Sequence, residues 1–470
     1  MRLKDIIKTD LNIEINGISY NSKTTKAGDV FVAISGFNVD GHSYALKAQQ
    51  NGAVCIICER EIEGLTVPAI IVDDTRATLA RMSHKFYGEP TKEFKLVGIT
   101  GTNGKTTVTY LIKEILEKAG EKVGLIGTNQ NMIGSKIIET QHTTPESLEL
   151  AQLFRQMSDE GCGYVVMEVS SHSLELKRVE GCEFEIGAFT NLSQDHLDFH
   201  KTMENYLIAK SKLFNMCKYA IINIDDEGGK IIASGTNCDV TTYGINAAIN
   251  ADISASNIVA QSTGVEFTCL GQKIKLGIPG RFSVYNALAA IGICSKLGFS
   301  INAMAMALEK ATGVKGRIEV VPTGRDFTIL IDYAHTPDGL KNVLQSVRAF
   351  AEGRVVVLFG CGGDRDTGKR PQMGKIAGEL ADYCIVTSDN PRTEDPAAII
   401  RDILSGMKEA TAEYIVLENR RSAIEYAIKH AKPKDVIVLA GKGHETYQIL
   451  GSKTIHFDER EIVSEILSDK

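Results

Sequence analysis

Residues 98–107 read Gly98-Ile99-Thr100-Gly101-Thr102-Asn103-Gly104-Lys105-Thr106-Thr107. An apolar run, Phe94 to Ile99, leads into this stretch, and a helix-like run, Thr106 to Ala119, leads out. Strand, glycine turn and helix start together predict a phosphate cradle. Free backbone N–H groups at a helix N-terminus face an anion, and the helix dipole favours it. Lys105 supplies a point charge, and a hydroxyl from Thr106 or Thr107 is placed to hold Mg²⁺. The common form of this loop has a glycine where Ile99 stands; here Gly101 does that work in a shorter turn.

Outward from the loop, Val108, Leu111, Ile112, Ile115, Leu116 and Ala119 keep helical spacing, so one face is apolar. Strands are expected at Val123–Gly127, Tyr164–Val169, Ala188–Leu192 and Tyr219–Ile224. Near Gly313–Arg317 the alternation breaks. It restarts with strands at Phe327–Asp332, Arg354–Phe359, Tyr383–Thr387, Glu413–Leu417 and Asp435–Ala440. Strands alternating with helices predict an α/β protein with parallel sheets covered on both faces. Ahead of the loop, Asp29–Ile34 and Ala53–Cys58 read as strands of a smaller α/β unit, and Phe86-Tyr87-Gly88-Glu89-Pro90-Thr91 as its boundary. The chain's 470 residues exceed one hydrophobic core, so about two to four domains are expected.

Composition narrows the function. Hydrophobic content of 43% and charged content of 24% fit a soluble globular protein. A net charge of −7 argues against a general nucleic-acid binder, which is usually basic. Met1-Arg2-Leu3-Lys4-Asp5 has no signal-peptide core, and no apolar run approaches the ~18 residues of a bilayer span. Ten cysteines lie scattered, most in apolar runs such as those around Cys217 and Cys294. That pattern fits reduced thiols and a cytoplasmic location. Cys55-x-x-Cys58 has no second pair at zinc spacing, so it reads as packing within a strand.

Polar residues cluster where strands end, which is where ligands collect in parallel sheets. Glu168 closes an apolar strand and is a candidate Mg²⁺ holder. His196 follows another strand and is a candidate metal ligand. Tyr206 to Phe214 reads, on spacing alone, as a helix with Lys210 and Lys212 on its surface. In the last third, Asp332 is placed for a ribose hydroxyl. Four turns stand at one sheet edge: Asp332 to Asp338, Gly360 to Asp366, Asp389-Asn390-Pro391-Arg392, and Gly441-Lys442-Gly443-His444-Glu445. Arg365 and Arg392 suit a carboxylate ligand, and Glu445 an amine.

Taken in order, these segments resemble the Mur ligases, the ATP-dependent amide-forming enzymes of peptidoglycan synthesis. The loop Gly101 to Thr107 is shared with folylpolyglutamate synthetases, so the remaining segments carry the distinction. Asn21-Ser22-Lys23, Ala27 to Ala33 and Asp40-Gly41-His42 resemble an N-terminal UDP-binding domain, with Asn21-Ser22-Lys23 where the family often has Asp-Ser-Arg. His142-Thr143-Thr144-Pro145-Glu146-Ser147 resembles the segment that grips a UDP-muramoyl-dipeptide, and Asp389 to Arg392 a selector for meso-diaminopimelate.

The resemblance implies three domains: residues 1–90 for the UDP-sugar, 91–316 for a central P-loop ATPase, and 317–470 for a Rossmann-like amino-acid domain. It implies ATP, two Mg²⁺ ions, and CO₂ carried as a carbamate on Lys210. Lys105, Glu168, His196 and Lys210 would be catalytic. Thr106, Glu168, His196 and carbamylated Lys210 would hold metal. Gly101, Thr102, Asn103, Gly104, Lys105, Thr106, Thr107, Asn286, Arg317 and Asp332 would bind ATP. Ser22 would contact the UDP portion, and Thr143, Thr144, Ser170 and Arg178 the muramoyl-dipeptide. Arg365, Asp389, Asn390, Pro391, Arg392, Gly441 and Glu445 would hold diaminopimelate.

The activity implied joins meso-diaminopimelate to UDP-N-acetylmuramoyl-L-alanyl-D-glutamate through an acyl phosphate. It is that of a monomer acting on small molecules, without nucleic acid or membrane. A lysine-adding branch of the same family, a folylpolyglutamate synthetase and a nucleotide-dependent switch are the alternatives. Arg392 speaks against the first, residues 1–90 against the second, and Arg365, Arg392 and Glu445 against the third. ATP and amino acid fall on different domains, so closure between those domains is expected.

Overall fold

In the computed structural model the chain builds three parallel-rich sheets, one after another in sequence. All residues are described except 37–38, 139–142, 247–249, 262–263, 312, 409 and 469–470, along with the side chain of Asp198. His142, predicted to open the dipeptide-gripping segment, lies outside the described residues.

The first sheet has four parallel strands in chain order: Gly17–Ser19, Asp29–Val32, Cys55–Cys58 and Ala69–Ile71. Cys55 and Cys58 are buried in it, as their apolar setting predicts. The helix Thr75–Phe86, capped by the Asp74 carboxylate accepting from Ala77 N, covers one face. It packs against the helix Ser147–Asp159 of the next unit.

The central sheet has eleven strands. Strand Lys95–Thr100 sits between Phe184–Phe189 and Tyr164–Glu168, parallel to both. Its C-terminal end therefore opens between Glu168 on one side and Thr190 on the other. Helix Lys105–Lys118 starts directly after the glycine turn. Val108, Leu111, Ile112, Ile115 and Leu116 are buried, as helical spacing requires. Ala119 caps the helix and is exposed.

Two expectations need correction here. The strand expected at Ala188–Leu192 runs Phe184–Phe189. The polar Thr190-Asn191 segment turns away to meet the phosphate loop, so the ladder ends before it. Cys217, expected in the core, is half-buried at the start of its strand. The antiparallel strands Ile253–Gln261, Gly264–Cys269 and Gln272–Leu276 extend the sheet at one edge, and the hairpin Asn131–Ile133 with Lys136–Ile138 at the other.

The third sheet has six strands. Glu319–Val321 is an antiparallel edge. Then come Thr328–Asp332, Val436–Ala440, Val355–Phe359, Tyr383–Val386 and Glu413–Val416, parallel and in that spatial order. Val436–Ala440, late in sequence, separates two early strands. The order reverses there, and a crevice opens at the carboxyl ends. The four predicted turns all sit on that edge.

Candidate functional site

The glycine turn at 101–104 is built by close approach. Gly101 has φ +143 and Gly104 φ +87. A Cβ on Gly101 would lie 1.9 Å from Thr190 Oγ1, and one on Gly104 2.4 Å from Asn286 Oδ1. Only glycine lets the loop pass between these side chains. Thr190 Oγ1 donates to Asn103 O (2.6 Å), Asn191 Oδ1 accepts from Asn103 N (2.9 Å), and Thr102 N donates to Asn191 O (2.8 Å). The neighbouring strand end thus holds the loop open.

A cavity of about 560 Å³ stands over this loop. Thr102, Asn103, Gly104, Lys105, Thr106 and Thr107 line it, with Thr143, Glu168, Ser170, His196, Asn286, Arg317 and Asp332. Glu168 is 1% exposed. Its Oε1 accepts from Thr128 N (2.8 Å) and its Oε2 from Thr128 Oγ1 (3.1 Å), which fixes the carboxylate. Burial pushes the Asp332 carboxyl up while Arg317 and two backbone N–H groups hold it down; one of those bonds is Ile318 N to Asp332 Oδ2 (2.7 Å). Arg317 lies over the Tyr333 ring at 4.9 Å.

Two lysines meet one carbonyl. Lys105 Nζ donates to Gly101 O at 2.9 Å and Lys210 Nζ donates to the same oxygen at 2.8 Å. Lys210 is 1% exposed, so the reading of two surface lysines on its helix is corrected. Lys212 is half-buried and paired with Glu175 at the surface, but Lys210 turns inward over the Tyr206 ring. Burial, and then the Lys105 charge, lower the Lys210 pKa far below that of an ordinary lysine. Burial lowers that of Lys105 too, against the pull of Glu168. For Lys210 the shift favours the uncharged amine, the form that acts as a nucleophile.

Among the described residues no three His, Cys, Asp or Glu side chains converge on one point. The predicted metal set has only two residues of those types, Glu168 and His196, so it does not rest on such a cluster. Thr106, Glu168 and His196 line one cavity, while Lys210 lies beneath the loop. The buried Thr106 hydroxyl and the Glu168 carboxylate are oxygen donors of the kind Mg²⁺ takes, so the residues present fit that ion. His196 has φ +54, stacks edge-on to His172 (4.8 Å), and lies 3.4 Å from Asp195.

A second cavity, about 790 Å³, opens beside the first. Asp195, His196, Tyr333, His335, Thr336 and Asp338 belong to both walls. Its far wall carries Arg365, Asp389, Asn390, Arg392, Gly441 and Glu445, contributed by three of the predicted turns. Arg392 takes φ +51 and its Nη1 donates to Gly363 O (2.9 Å). A Cβ on Gly362 would sit 2.9 Å from that Nη1, so glycine leaves the guanidinium its place. Gly441 (φ +115) passes so near Asp389 that a Cβ would meet its carboxylate at 2.6 Å. Arg365 is exposed to the cavity.

Several predicted residues stand apart. Ser22 is buried in the first unit and lines neither cavity. Thr144 Oγ1 donates to Glu168 O (2.9 Å), and Arg178 donates to Thr144 O and pairs with Glu146 (2.6 Å). Those two shape the floor and do not line either cavity. Pro391 is buried with its carbonyl against Gly363.

Sequence reasoning passed over Thr128, which orients Glu168, and Asp338. Asp338 Oδ2 accepts from Asn103 Nδ2 at 2.9 Å and ties the phosphate loop to the third unit. Neither residue belongs to a spacing pattern; Thr128 carried only a place just past the strand Val123–Ile126, and Asp338 only a place in the first turn of helix Pro337–Arg348.

Comparison with known proteins places this geometry. Three family models match in sequence: Mur ligase family, catalytic domain, at residues 14–87; Mur ligase middle domain at 99–294; and Mur ligase, glutamate ligase domain, at 316–443. The chain is 52% identical to the UDP-N-acetylmuramoyl-L-alanyl-D-glutamate--2,6-diaminopimelate ligase of Caldanaerobacter subterraneus, over 100% of this chain and 99% of that protein. It is 51% identical to the protein of the same name from Clostridium botulinum, over 97% and 96%. A solved structure of a ligase bearing that name superposes with a TM-score of 0.73 at 31% identity, covering 99% of this chain and 98% of the other. On these matches, which span all three sheets, the chain belongs to the Mur ligase family, whose members are ATP-dependent ligases.

Proposed function

We propose that this ligase adds meso-2,6-diaminopimelate to UDP-N-acetylmuramoyl-L-alanyl-D-glutamate, at the expense of ATP, in the synthesis of peptidoglycan precursor. The observation that carries the reading is the shared wall: a phosphate-loop cavity and a guanidinium-lined cavity meet at Asp195, His196, Tyr333 and His335. The names of the full-length relatives support the same choice.

The chemistry suits the two cavities. A free carboxylate is a poor electrophile. Transfer of the γ-phosphoryl group of ATP to the D-glutamyl side-chain carboxylate releases ADP and leaves an acyl phosphate. An amine of diaminopimelate then bonds to the acyl carbon, the C–O bond to phosphate breaks, and the nitrogen gives up a proton. Lys105 and the loop N–H groups offset charge on the moving phosphoryl group. Asn286, Arg317 and Asp332 grip the nucleoside. Thr143 and Ser170 reach the dipeptide, with Thr144 and Arg178 shaping the floor and Ser22 in the UDP-binding unit. Mg²⁺, when bound, supplies further charge neutralisation, and Thr106, Glu168 and His196 are the residues that would hold it.

Lys210 fits the role of a carbamate carrier. Its buried, neutral-leaning amine can add to CO₂ and release a proton, which turns a cation into a carboxylate. On the far wall, Arg365 and Arg392 match the carboxylates of diaminopimelate, and Asp389 and Glu445 its ammonium; Asn390 and Gly441 complete the wall. Lysine lacks the second carboxylate and would leave Arg392 unpaired.

In this reading three modules work together: 1–90 for UDP-sugar, 91–316 for ATP and 317–470 for the amino acid. The enzyme acts as a monomer in the cytoplasm. No helix among the described residues is long and apolar enough to cross a membrane.

The test is phosphate release from ATP with the UDP-muramoyl-dipeptide, with and without diaminopimelate, lysine or folate. Release that needs both the dipeptide and diaminopimelate supports the reading. Release driven equally by lysine, or by folate without the dipeptide, overturns it.

A further inference from the structure

Lys442 is 0% exposed, and no step above uses it. It sits in the turn that follows strand Val436–Ala440, directly beneath the far wall of the second cavity. Its Nζ donates to Asn390 Oδ1 (3.2 Å) and Glu445 Oε2 (3.2 Å), and Asp389 Oδ1 lies 3.9 Å away. The Tyr447 and Phe457 rings flank it, each 5.8 Å from the ammonium.

The same Asn390 oxygen also accepts from Ile449 N at 3.0 Å. With both acceptor positions taken, the amide cannot turn. Its Nδ2 must point at Glu445 Oε2, and it does so at 2.9 Å. Two wall residues from two separate turns, Asn390 and Glu445, are thus locked by one buried cation, with the Asp389 carboxylate close by. Burial pushes the Glu445 carboxyl up, and Lys442 is the foremost charge drawing it back down. A buried ammonium is costly unless paired, so its presence under two carboxylates calls for a reason beyond packing.

We propose that Lys442 is a positioning residue for the amino-acid pocket: from beneath, it fixes the Asn390 amide and the Glu445 carboxylate so that they present a ready cation site beside the Arg392 guanidinium. The pocket would then take the distal end of its substrate as a zwitterion, with the carboxylate on arginine and the ammonium on the lysine-supported acid. The proposal rests on the reading of this cavity as the amino-acid site.

The experiment uses full-length enzyme and steady-state phosphate release. The wild type must first show turnover that depends on diaminopimelate; if it does not, the functional reading fails and not this one. K442M, which keeps the length and removes the charge, is expected to raise the KM for diaminopimelate by about 30-fold or more, as loss of one partner of a buried charge pair does. Its kcat should stay within about 3-fold and its ADP affinity within about 2-fold, because the phosphate loop is untouched. K442M/E445Q should be no worse than about 3-fold beyond E445Q alone, since the lysine acts through that acid. K442Q, which keeps a donor, should recover part of the KM and gives the same test if K442M does not fold. An unchanged KM, a parallel fall in ADP affinity, or multiplying losses in the double variant would each overturn the assignment.

Discussion

The two ends of the cleft are built on different plans. The phosphate end is mostly main chain: one glycine turn, one helix start and one lysine within ten residues, steadied by Thr190 and Asn191. The amino-acid end is mostly side chains, drawn from three turns up to about eighty residues apart, and held by buried charges beneath. Arg370, 2% exposed, grips Glu394 and Asp402, and Glu394 in turn accepts from Asp364 N. A local backbone device reads phosphate groups and not the base. A device of converging side chains can choose between amino acids that differ by one carboxylate. On the proposed function, that difference gives energy transfer to one end and selection to the other.

The sharpest way to break this division is Lys105→Ala. Turnover should fall by about 10³-fold or more with diaminopimelate at any concentration, because the loss falls on the phosphoryl-transfer transition state. Recovery at high diaminopimelate would place Lys105 at the wrong end. Arg392→Ala should do the opposite. Here kcat/KM for diaminopimelate should drop about 10²- to 10³-fold while ADP affinity, followed by calorimetry, moves less than about 2-fold. A matching loss of ADP affinity would erase the division.

Lys210 tests the seam beneath the phosphate end. Lys210→Ala should lose about 10²-fold in turnover, with part of it restored by added short carboxylates that stand in for the carbamate. Full turnover in the variant would remove the carbamate from the account.

The smallest effect belongs outside both ends. His84 is buried between the first and second units, with its Nε2 3.4 Å from Cys182 Sγ. Burial pushes its pKa down to about 4. The unfolded chain then binds the proton first, so stability should fall as pH drops from about 6.5 to about 4, by about 3 kcal/mol in all. His84→Gln should flatten that slope and leave kcat unchanged at neutral pH. Denaturant titrations across the window decide it; an unaltered slope would exclude His84 as its source.

The same contrast explains what could be read from sequence. The loop at 101–107 and its helix were legible because every contributing atom is local. Most of the expected parallel strands were legible to within a residue or two, as at Tyr164–Glu168, because their middles are apolar; Phe184–Phe189, expected at Ala188–Leu192, was the exception. The hairpin Tyr447–Leu450 with Lys453–His456 was not, since nearly all of it is exposed and no alternation marks it. Yet it pins Arg392 through Arg392 N to Ile449 O (3.2 Å) and Gly451 N to Arg392 O (2.8 Å).

Lys210 and Lys442 misread most easily. A lysine on a helix or beside glycines looks solvated, and only tertiary contacts turn it inward. The guanidiniums of the far wall were found because each stands at a strand end. Their supports, Glu394 and Arg370, carry no such positional mark.

The central claim is that selection resides in the guanidinium-lined wall. The most direct measurement is the ratio of kcat/KM for meso-diaminopimelate to that for L-lysine, with ATP and the UDP-muramoyl-dipeptide saturating. A wall built to meet a second carboxylate predicts a ratio of about 10³ or more. A ratio near one would contradict it.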